Sequence, residues 1–285
     1  MLLFASQKSG ALGKRVAAGL NTRLGKIEKE VFPDGEIYIR ILEDVSGRDC
    51  VLVHTAEDND DIIELILVLS ALAENRAKRI TCIIPYLAYS RQDKAFKPGE
   101  AVSAQVILKI IDSFATEIVL LNAHFLGKPG RFEFGGVKIT NLDAFPLLAK
   151  YFSKVKDAVV IAPDEGTLQY AADAAKVIGC PSDYLIKKRL SGEDVEMKPK
   201  NIDISGKNAI ILDDIISTGG TVVKVLEKLK SQGAAGGYAG CVHGVFSKGT
   251  RMFGSLNEVV CTDTIPGDLS KISVAPLLID FLKKR

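Results

Sequence analysis

Residues 210–223 read IILDDIISTGGTVV, and this stretch decides how the rest of the chain is interpreted. The three branched apolar residues at 210–212 are typical of a buried strand. Two adjacent carboxylates, Asp213 and Asp214, follow them, and then comes a small, hydroxyl-rich segment at 217–221 before the next apolar residues. The pattern predicts a strand, a tight glycine-rich loop and a helix.

The chemistry of this segment points to a particular ligand. Ligands of open parallel sheets bind at the carboxyl ends of the strands, where Asp213 and Asp214 would lie. Carboxylates accept hydrogen bonds from sugar hydroxyls or hold Mg²⁺. Glycines let backbone N–H groups converge on an anion, and the following helix adds its positive end. Two carboxylates that can bind a sugar diol, next to a loop of backbone N–H groups that can bind a phosphate, predict a ribose 5-phosphate site. The alternative is a plain glycine-rich turn with solvated acids.

Composition limits the class of protein. Of the 285 residues, 47% are apolar and 25% charged, and the 37 basic and 35 acidic residues leave a net charge of +2, which favours a soluble globular protein and gives no argument for nucleic acid. The five cysteines are scattered without CxxC spacing, which favours reduced cysteines in a cytoplasmic protein. No stretch approaches the roughly 18 apolar residues of a membrane span, so we expect no membrane association.

Short apolar runs alternate with amphipathic helical patterns along the whole chain, which predicts an α/β protein with mainly parallel sheets. Equivalent positions recur 158 residues apart: Leu2 and Val160, His54 and Leu212, and Tyr86 and Gly244. This repeat of elements predicts two tandem domains, residues 1–142 and 143–285, each a mainly parallel sheet flanked by helices. One large doubly wound sheet is the rival interpretation. Three charged segments, at 93–100, 127–136 and 187–199, are expected to be loops.

Several motifs together resemble one family. The stretch at 210–223 resembles the PRPP-binding loop of the type I phosphoribosyltransferase fold. In chain order, VFPDGEIYIR (31–40), PYLAYSRQDK (85–94), NAHF (122–125), APDEG (162–166) and CVHGVFS (241–247) resemble motifs of ribose-phosphate diphosphokinases, also called PRPP synthetases. The resemblance covers nearly the whole chain, whose length is similar to that of a short archaeal form. It implies two tandem domains like the type I phosphoribosyltransferases.

The resemblance also implies a reaction. ATP and ribose 5-phosphate would give 5-phosphoribosyl 1-diphosphate (PRPP) and AMP, because the sugar's 1-hydroxyl attacks the β-phosphorus and a diphosphoryl group moves as one unit. Catalysis of this type is mostly positioning and neutralisation of charge. In the family the ATP site is completed by a hairpin from a neighbouring subunit, so a homo-oligomer, at least a dimer, is expected.

Residue roles follow from the same resemblance. The residues expected to bind ribose 5-phosphate are Arg189, Asp213, Asp214, Ser217, Thr218, Gly219, Gly220 and Thr221. Those expected to bind ATP are Phe32, Asp34, Gly35, Glu36, Arg91, Gln92 and His124. The residues expected to hold the cofactor Mg²⁺ are His124 and Asp164. Lys187 and Arg189 are the expected catalytic residues, at the base of a lid formed by residues 191–199. Ser217 departs from a common family pattern, which has Asp there.

Simpler interpretations stay open at several of these positions. Residues 32–36 read equally as an edge hairpin with a Pro-Asp-Gly turn, residues 187–189 as a solvated basic run, and His124 as a structural histidine at a strand end. At the level of function, the alternatives are a phosphoribosyltransferase that consumes PRPP and a non-catalytic, PRPP-synthetase-like regulatory subunit. The sequence lacks GxxxxGK[ST], GxGxxG after a strand, and zinc-type Cys/His spacing.

Overall fold

The structure is a computed structural model that describes residues 1–163, 168–191 and 194–285, with side chains described outside 186–198. Its contacts divide the chain into two units. The first unit contains Met1–Asp143, Thr264–Pro266 and Ser273–Arg285. The second contains Ala144–Asp263 and Gly267–Ile272.

Strands and helices alternate through the first 143 residues. The elements are β1 (Leu2–Ala5), α1 (Gly10–Gly19), β2 (Ile27–Val31), β3 (Ile37–Ile41), β4 (Asp49–Val53), α2 (Asn59–Glu74), β5 (Arg79–Ile84), α3 (Ser103–Asp112), β6 (Glu117–Leu121), β7 (Gly130–Phe134) and β8 (Val137–Leu142).

The first unit is built on a six-stranded sheet in the order β1-β4-β5-β6-β8-β7. Neighbouring strands are parallel except β7, which runs antiparallel to β8. Parallel strands are covered on both faces, which is why β4 and β5 are almost continuous apolar runs. Strands β2 and β3 form a separate antiparallel hairpin. Apolar side chains of α2 and α3 pack with one face of the sheet to form the core, for example Leu65, Leu108 and Leu52.

The second unit repeats this architecture. Its elements are α4 (Phe145–Phe152), β9 (Ala158–Ala162), α5 (Leu168–Ile178), β10 (Ser182–Ser191), β11 (Asp194–Pro199), β12 (Asn208–Ile216), α6 (Gly220–Ser231), β13 (Gly236–Gly244), β14 (Glu258–Thr262) and β15 (Ser270–Ile272). The sheet order is β11-β10-β9-β12-β13-β14-β15, and every neighbouring pair is parallel except β10 and β11. The core lies between this sheet and α6, with Val225 and Leu226 packed near Ile211.

The two sheets share five strands in the same order, so the predicted repeat of elements is confirmed and the single-sheet interpretation is wrong. Strands β1, β4, β5, β6 and β8 correspond in order to β9, β12, β13, β14 and β15. Each unit also has a hairpin between its first and second sheet strands, β2–β3 in one and β10–β11 in the other. The hairpins differ because β10 pairs in parallel with β9, whereas β2–β3 stands apart from its sheet.

Two of the three expected loops contain strands instead. Residues 127–136 include β7, which pairs with β8. Residues 187–199 belong largely to the β10–β11 hairpin, whose register runs from Leu185 opposite Pro199 to Ser191 opposite Asp194. The expectation of a loop is therefore wrong for residues 194–199, which form β11. Apolar and polar residues alternate there, Val195 and Met197 with Glu196 and Lys198, and this period of two is typical of a strand.

The C-terminal helix α7 (Ala275–Lys283) belongs to the first unit. Ile279 lies against Gly19 of α1 so closely that a Cβ at Gly19 would collide with it. Arg285 donates to the Thr81 hydroxyl at 2.7 Å and forms an ion pair with Glu117. The division predicted at residue 143 puts residues 264–266 and 273–285 in the second domain, whereas the contacts of the whole chain group them with the first unit. An amphipathic helix pattern does not specify which sheet it covers.

His54, directly after β4, is fully buried. Its Nε2 lies 2.8 Å from the backbone oxygen of Asp61. A carbonyl only accepts, so Nε2 carries the hydrogen and Nδ1 is the unprotonated nitrogen. Among the described residues, Nδ1 has no hydrogen-bond partner. Burial lowers the pKa of His54 below its ordinary value, because the charged imidazolium would lose its hydration. His54 is thus a structural histidine that the fold keeps neutral.

We expect His54 to make the folded state less stable as the pH falls. Below the ordinary histidine pKa of about 6.5 the unfolded chain takes up a proton that the native chain does not, so stability decreases by up to about 1.4 kcal/mol per pH unit until the native His54 also protonates. His54→Gln keeps an N–H donor and does not titrate. Urea unfolding followed by circular dichroism at pH 7.5 and pH 5 should show a smaller loss of unfolding free energy in the variant. An equal loss in both proteins contradicts the assignment.

Candidate active site

The two carboxylates of the IILDDIISTGG stretch lie inside β12 and not beyond its end. The predicted strand, residues 210–212, is wrong in extent, because β12 continues to Ile216 and pairs with β13 as far as Gly244. Asp213 and Asp214 are half-buried near its carboxyl end. The Asp213 carboxylate accepts the backbone N–H of Asp214 at 2.9 Å, and the Asp214 carboxylate accepts that of Ile215 at 2.8 Å. These bonds fix the orientation of both acids relative to the strand.

The loop between β12 and α6 is tied to a neighbouring loop by its backbone. The carbonyl of Ser217 accepts the N–H of Ser247 at 2.9 Å. Gly219, the N-cap of α6, has φ +80° and makes no side-chain capping bond. Thr218 and Thr221 are exposed on either side of it. The first N–H groups of a helix have no partner within the helix, so an uncapped N-terminus offers donors and a positive dipole end to an anion.

The two glycines of this loop have different surroundings. A Cβ at Gly219 would lie 2.5 Å from the Phe253 ring, which itself packs edge-on against Phe246 with ring centroids 5.4 Å apart. Glycine is therefore needed at 219 for two reasons: the backbone has a positive φ, and a Cβ would collide with Phe253. At Gly220 the nearest atom to a Cβ would be the Thr218 hydroxyl oxygen, 4.0 Å away. Among the described residues, none closes the space beside Gly220, so this space can admit a ligand.

The corresponding junction in the first unit, between β4 and α2, is closed by the chain's own acids. Asp58 accepts the N–H of Asp61 at 2.9 Å, and the Asp61 carboxylate accepts the N–H of Asp58 at 3.3 Å, which completes a capping box. Lys8 pairs with Asp61 at 2.5 Å and with Glu57 at 3.1 Å. A helix N-terminus already occupied by carboxylates repels a phosphate. Of these two equivalent junctions, the one at α6 is suited to an anionic ligand.

The predicted ATP hairpin is the β2–β3 arm, and its turn contains Phe32, Asp34, Gly35 and Glu36. The N–H of Phe32 donates to the Glu36 carbonyl at 2.9 Å, and Gly35 has φ +93°. The Asp34 carboxylate accepts the N–H of Glu36 at 3.2 Å. All of these residues are exposed, and Phe32 is 43% exposed. A protruding turn with an exposed aromatic ring and two acids is accessible to a ligand or to another subunit.

Arg91 and Gln92 lie in the loop that follows β5. Arg91 is exposed, whereas the Gln92 side chain donates to the Lys94 carbonyl at 3.1 Å and to Glu100 at 3.3 Å. The same Glu100 oxygen accepts the N–H groups of Phe96 and Lys97 at 2.7 and 3.0 Å. Glu100 thus organises the loop that carries Gln92, a role that sequence analysis missed. The sequence rules for turns cover Asn, Asp, Ser and Thr side chains, so a glutamate in this role gives no sequence signal.

His124 and Asp164 were predicted as metal ligands. His124 is exposed at the start of a short 3₁₀ helix, His124–Leu126, just after β6. β6 is next to β5 and parallel to it, so His124 and the Arg91 loop follow the same edge of the first sheet. Asp164 lies outside the described residues. Within the described part of the chain, no three His, Cys, Asp or Glu side chains are grouped in a way that could hold a metal ion.

Lys187 and Arg189 lie on β10, opposite Met197 and Val195 of β11, and the register shifts between Arg189 and Ser191. Their side chains are outside the described part of the structure. A pair of alternating positions on one strand places both residues on the same face of the hairpin.

Comparison with known proteins adds an independent line of evidence. Residues 1–114 match the family model of the N-terminal domain of ribose phosphate pyrophosphokinase, and residues 145–269 match that of the phosphoribosyl transferase domain. The ribose-phosphate pyrophosphokinase of Methanothermobacter thermautotrophicus is 39% identical over 98% of both chains, and that of Methanopyrus kandleri is 36% identical over 97% of this chain and 96% of its own. This chain belongs to the ribose-phosphate pyrophosphokinase family.

A solved structure agrees with the family assignment. The phosphoribosylpyrophosphate synthetase of Mycobacterium smegmatis superposes with a TM-score of 0.85 at 28% identity, covering 99% of this chain and 97% of that one. The family resemblance, the α/β fold and the enzyme class expected from the sequence are confirmed. In the described ranges, no helix has the length and apolarity needed to cross a membrane.

The two glycines of the α6 loop give a prediction about stability. Gly219→Ala should lower the free energy of unfolding by about 1–3 kcal/mol, because an L-residue is strained at φ +80° and its Cβ collides with Phe253. Gly220→Ala should leave the unfolding free energy within about 0.5 kcal/mol of the native value. Circular dichroism during urea unfolding measures both, since the chain has no tryptophan. Equal effects of the two substitutions would contradict the described loop geometry.

Proposed function

We propose that the α6 loop is the ribose 5-phosphate site of an enzyme that transfers the diphosphoryl group of ATP to the sugar's 1-hydroxyl, giving PRPP and AMP. The observation that carries the proposal is the uncapped α6 N-terminus beside Asp213 and Asp214, in a chain of this family. The backbone N–H groups and hydroxyls of the loop bind the 5-phosphate. The two acids accept hydrogen bonds from the ribose hydroxyls. The residues that form this site are Asp213, Asp214, Ser217, Thr218, Gly219, Gly220 and Thr221.

Ser217 keeps the anion-binding character of the loop. Its hydroxyl can donate to a phosphate oxygen, which the ionised Asp that is common at this position in the family cannot do. Its backbone is held by the bond from Ser247, so the side chain starts from a fixed position.

ATP binds to the first unit. The planar Arg91 guanidinium donates hydrogen bonds to phosphate oxygens of ATP. Gln92 and His124 contact ATP from the same edge of the sheet. The Phe32 ring stacks on adenine, while Asp34 and Glu36 accept from base or ribose donors and Gly35 allows the tight turn. The hairpin turn is exposed, which suits an arm that completes the ATP site of a neighbouring subunit. The enzyme is accordingly a homo-oligomer, at least a dimer.

In the reaction, the 1-hydroxyl oxygen attacks the β-phosphorus in line with the leaving oxygen. The new O–P bond forms as the bond from the β-phosphorus to the α,β-bridging oxygen breaks, AMP leaves with that oxygen, and the hydroxyl proton is released. Lys187 and Arg189 neutralise the negative charge that develops on the transferred group, and Arg189 also contacts ribose 5-phosphate.

His124 and Asp164 are the residues that would hold Mg²⁺. Asp164 would provide the oxygen ligand that this ion prefers, because Mg²⁺ in phosphoryl transfer is commonly held by one or two carboxylates, with substrate phosphates and water completing its shell. His124 would act on the ion directly or through ATP. When bound with ATP, the ion supplies neutralisation of phosphate charge. All five cysteines are free thiols in the structure, which suits the expected cytoplasmic location.

The alternative functions make different products. A phosphoribosyltransferase would release diphosphate from PRPP and needs no ATP, and the family assignment does not favour it. A non-catalytic regulatory subunit would bind ATP and release no AMP.

An AMP-release assay tests the reaction directly. The native chain should form AMP only when ATP, ribose 5-phosphate and Mg²⁺ are all present. Lys187→Ala should lose turnover by at least about 10²-fold, with binding of both substrates largely retained, because a charge-neutralising group acts mainly in the transition state. AMP formation by the variant at the native rate would exclude the role of Lys187. No AMP from the native chain would exclude the reaction.

A second assay tests the location of the phosphate site. Gly220→Ala places a methyl group in the open space above the loop and should raise the KM for ribose 5-phosphate by about tenfold or more, while leaving the KM for ATP unchanged. Gly10→Ala is the matched control, because Gly10 is also the first residue of a helix, α1, and a Cβ there meets nothing within 4 Å. If the two variants have the same KM for ribose 5-phosphate, the α6 loop is not the site.

A further inference from the structure

The β2–β3 arm needs specific contacts to fix its position, because no ladder of hydrogen bonds joins it to the six-stranded sheet. Its base is held by Arg23 and Glu43, whose paired atoms lie 2.8 and 2.9 Å apart, and by the N–H of Gly25, which donates to the Leu3 carbonyl at 2.7 Å. Beyond the base, the arm lies along α2. Apolar side chains supply much of that contact, and apolar contacts are not directional, so by themselves they permit sliding.

One residue breaks the apolar pattern of the arm. Side chains alternate along a strand, so residues 27, 29 and 31 of β2 share a face with residues 37, 39 and 41 of β3, their cross-strand partners. Five of these six residues are apolar, and the sixth is Lys29. Ile27, Ile39 and Ile41 pack on the core of the unit, which identifies this face as the inward one. A lysine in the middle of an inward apolar row requires a partner.

Its partner is Glu64, in the second turn of α2. Lys29 Nζ lies 2.6 Å from a carboxylate oxygen of Glu64. The Glu64 side chain is only 5% exposed. Among the described residues, Lys29 is its sole hydrogen-bond donor. A carboxylate removed from water needs such a donor, so the pair forms at one position of the arm along α2 and not at others.

The ion pair lies close to the residues expected to contact ATP. Lys29 precedes Phe32 by three residues. Because the turn at 32–36 is tight, the position of β2 determines the position of the turn. α2 also holds the loop that carries Arg91 and Gln92, since the Tyr89 hydroxyl donates to Asn59 in the first turn of the helix. Tyr89 has φ +67°, an unusual conformation for a non-glycine residue, which that contact helps to retain. One helix therefore sets the position of both elements.

We propose that the Lys29–Glu64 ion pair positions the hairpin arm so that its turn can bind ATP. The proposal rests on the proposed function, because it assumes that the turn contacts ATP. Neither residue is a catalytic residue: both act through Phe32, Asp34 and Glu36. A positioning contact of this kind changes how well the nucleotide is bound and leaves the phosphoryl-transfer step unchanged once the nucleotide is in place.

The test is a set of variants in the AMP-release assay. Lys29→Met retains the length of the side chain and removes its charge, and it should raise the KM for ATP by about tenfold, since a misplacement of about 1 Å is costly in a binding site. The kcat at saturating ATP and the KM for ribose 5-phosphate should stay within about twofold of native values. Glu64→Gln should have the same effect, and Lys29→Arg, which keeps the ion pair, should restore the native KM.

Two further variants separate positioning from folding. Arg40→Met is the matched control, since Arg40 pairs with Glu28 at 3.6 Å on the outward face of the same hairpin and is exposed, so its loss should not change the KM for ATP. Replacing both members of the pair, Lys29→Met with Glu64→Leu, leaves no unpaired charge at the buried Glu64 position and should restore the melting temperature. The directional contact is still missing in that protein, so its KM for ATP should remain raised.

The possible outcomes distinguish this proposal from the function on which it rests. A native chain that forms no AMP overturns the proposed function. A native chain that forms AMP, combined with a Lys29→Met variant of unchanged KM for ATP, overturns the positioning role alone. Recovery of both the melting temperature and the KM for ATP in the double variant also overturns it, because the ion pair would then contribute only to folding.

Discussion

The geometry of the candidate active site depends on Gly219. This residue has a left-handed backbone conformation and lies against Phe253, so the chain can leave β12 and begin α6 within three residues. Because the turn is so short, the N–H groups at the start of α6 remain close to the carboxylates at the end of β12. A longer connection would separate the positive helix end from the two acids. The combination of a diol-binding and an anion-binding group therefore follows from one backbone conformation and the aromatic packing beneath it.

The two units share one architecture, but their equivalent strand–helix junctions have different roles. At the first-unit junction, the capping box of Asp58 and Asp61 satisfies the start of α2, and Lys8 neutralises the acids. That helix is stabilised internally and has little to offer an anion. At the second-unit junction, the N-cap of α6 is a glycine, which has no side chain to cap the helix, and this leaves the first N–H groups of α6 for a ligand. The same few N–H groups can either be satisfied by a side-chain cap, which stabilises the helix, or bind a ligand. Each junction can therefore serve only one of these two roles well.

Much of this architecture could be predicted from the sequence, because it rests on local pattern. The alternation of strands and helices, the two-domain repeat and the strand–loop–helix at 210–223 all follow from periodicity and glycine placement. The errors have specific causes. β12 extends to Ile216 because pairing with β13 overrides the two acids, which a propensity argument treats as the end of a strand. The β10–β11 hairpin is not predicted because its charged residues resemble those of a solvent-exposed loop. The packing of α7 on the first unit is a tertiary choice that no local pattern encodes.

Lys29 shows why the rest of the candidate site was harder to foresee. In the sequence, IEKEV looks like an exposed, charged strand, and one lysine among glutamates attracts no attention. Only the register with β3 shows that Lys29 lies among isoleucines on the inward face, and only the position of α2 shows that Glu64 meets it there. A buried charge pair contributes little net stability compared with apolar residues of the same volume. Its presence on an arm otherwise held by apolar contacts is better explained by geometry, because a hydrogen-bonded ion pair selects one arrangement where apolar contacts allow several.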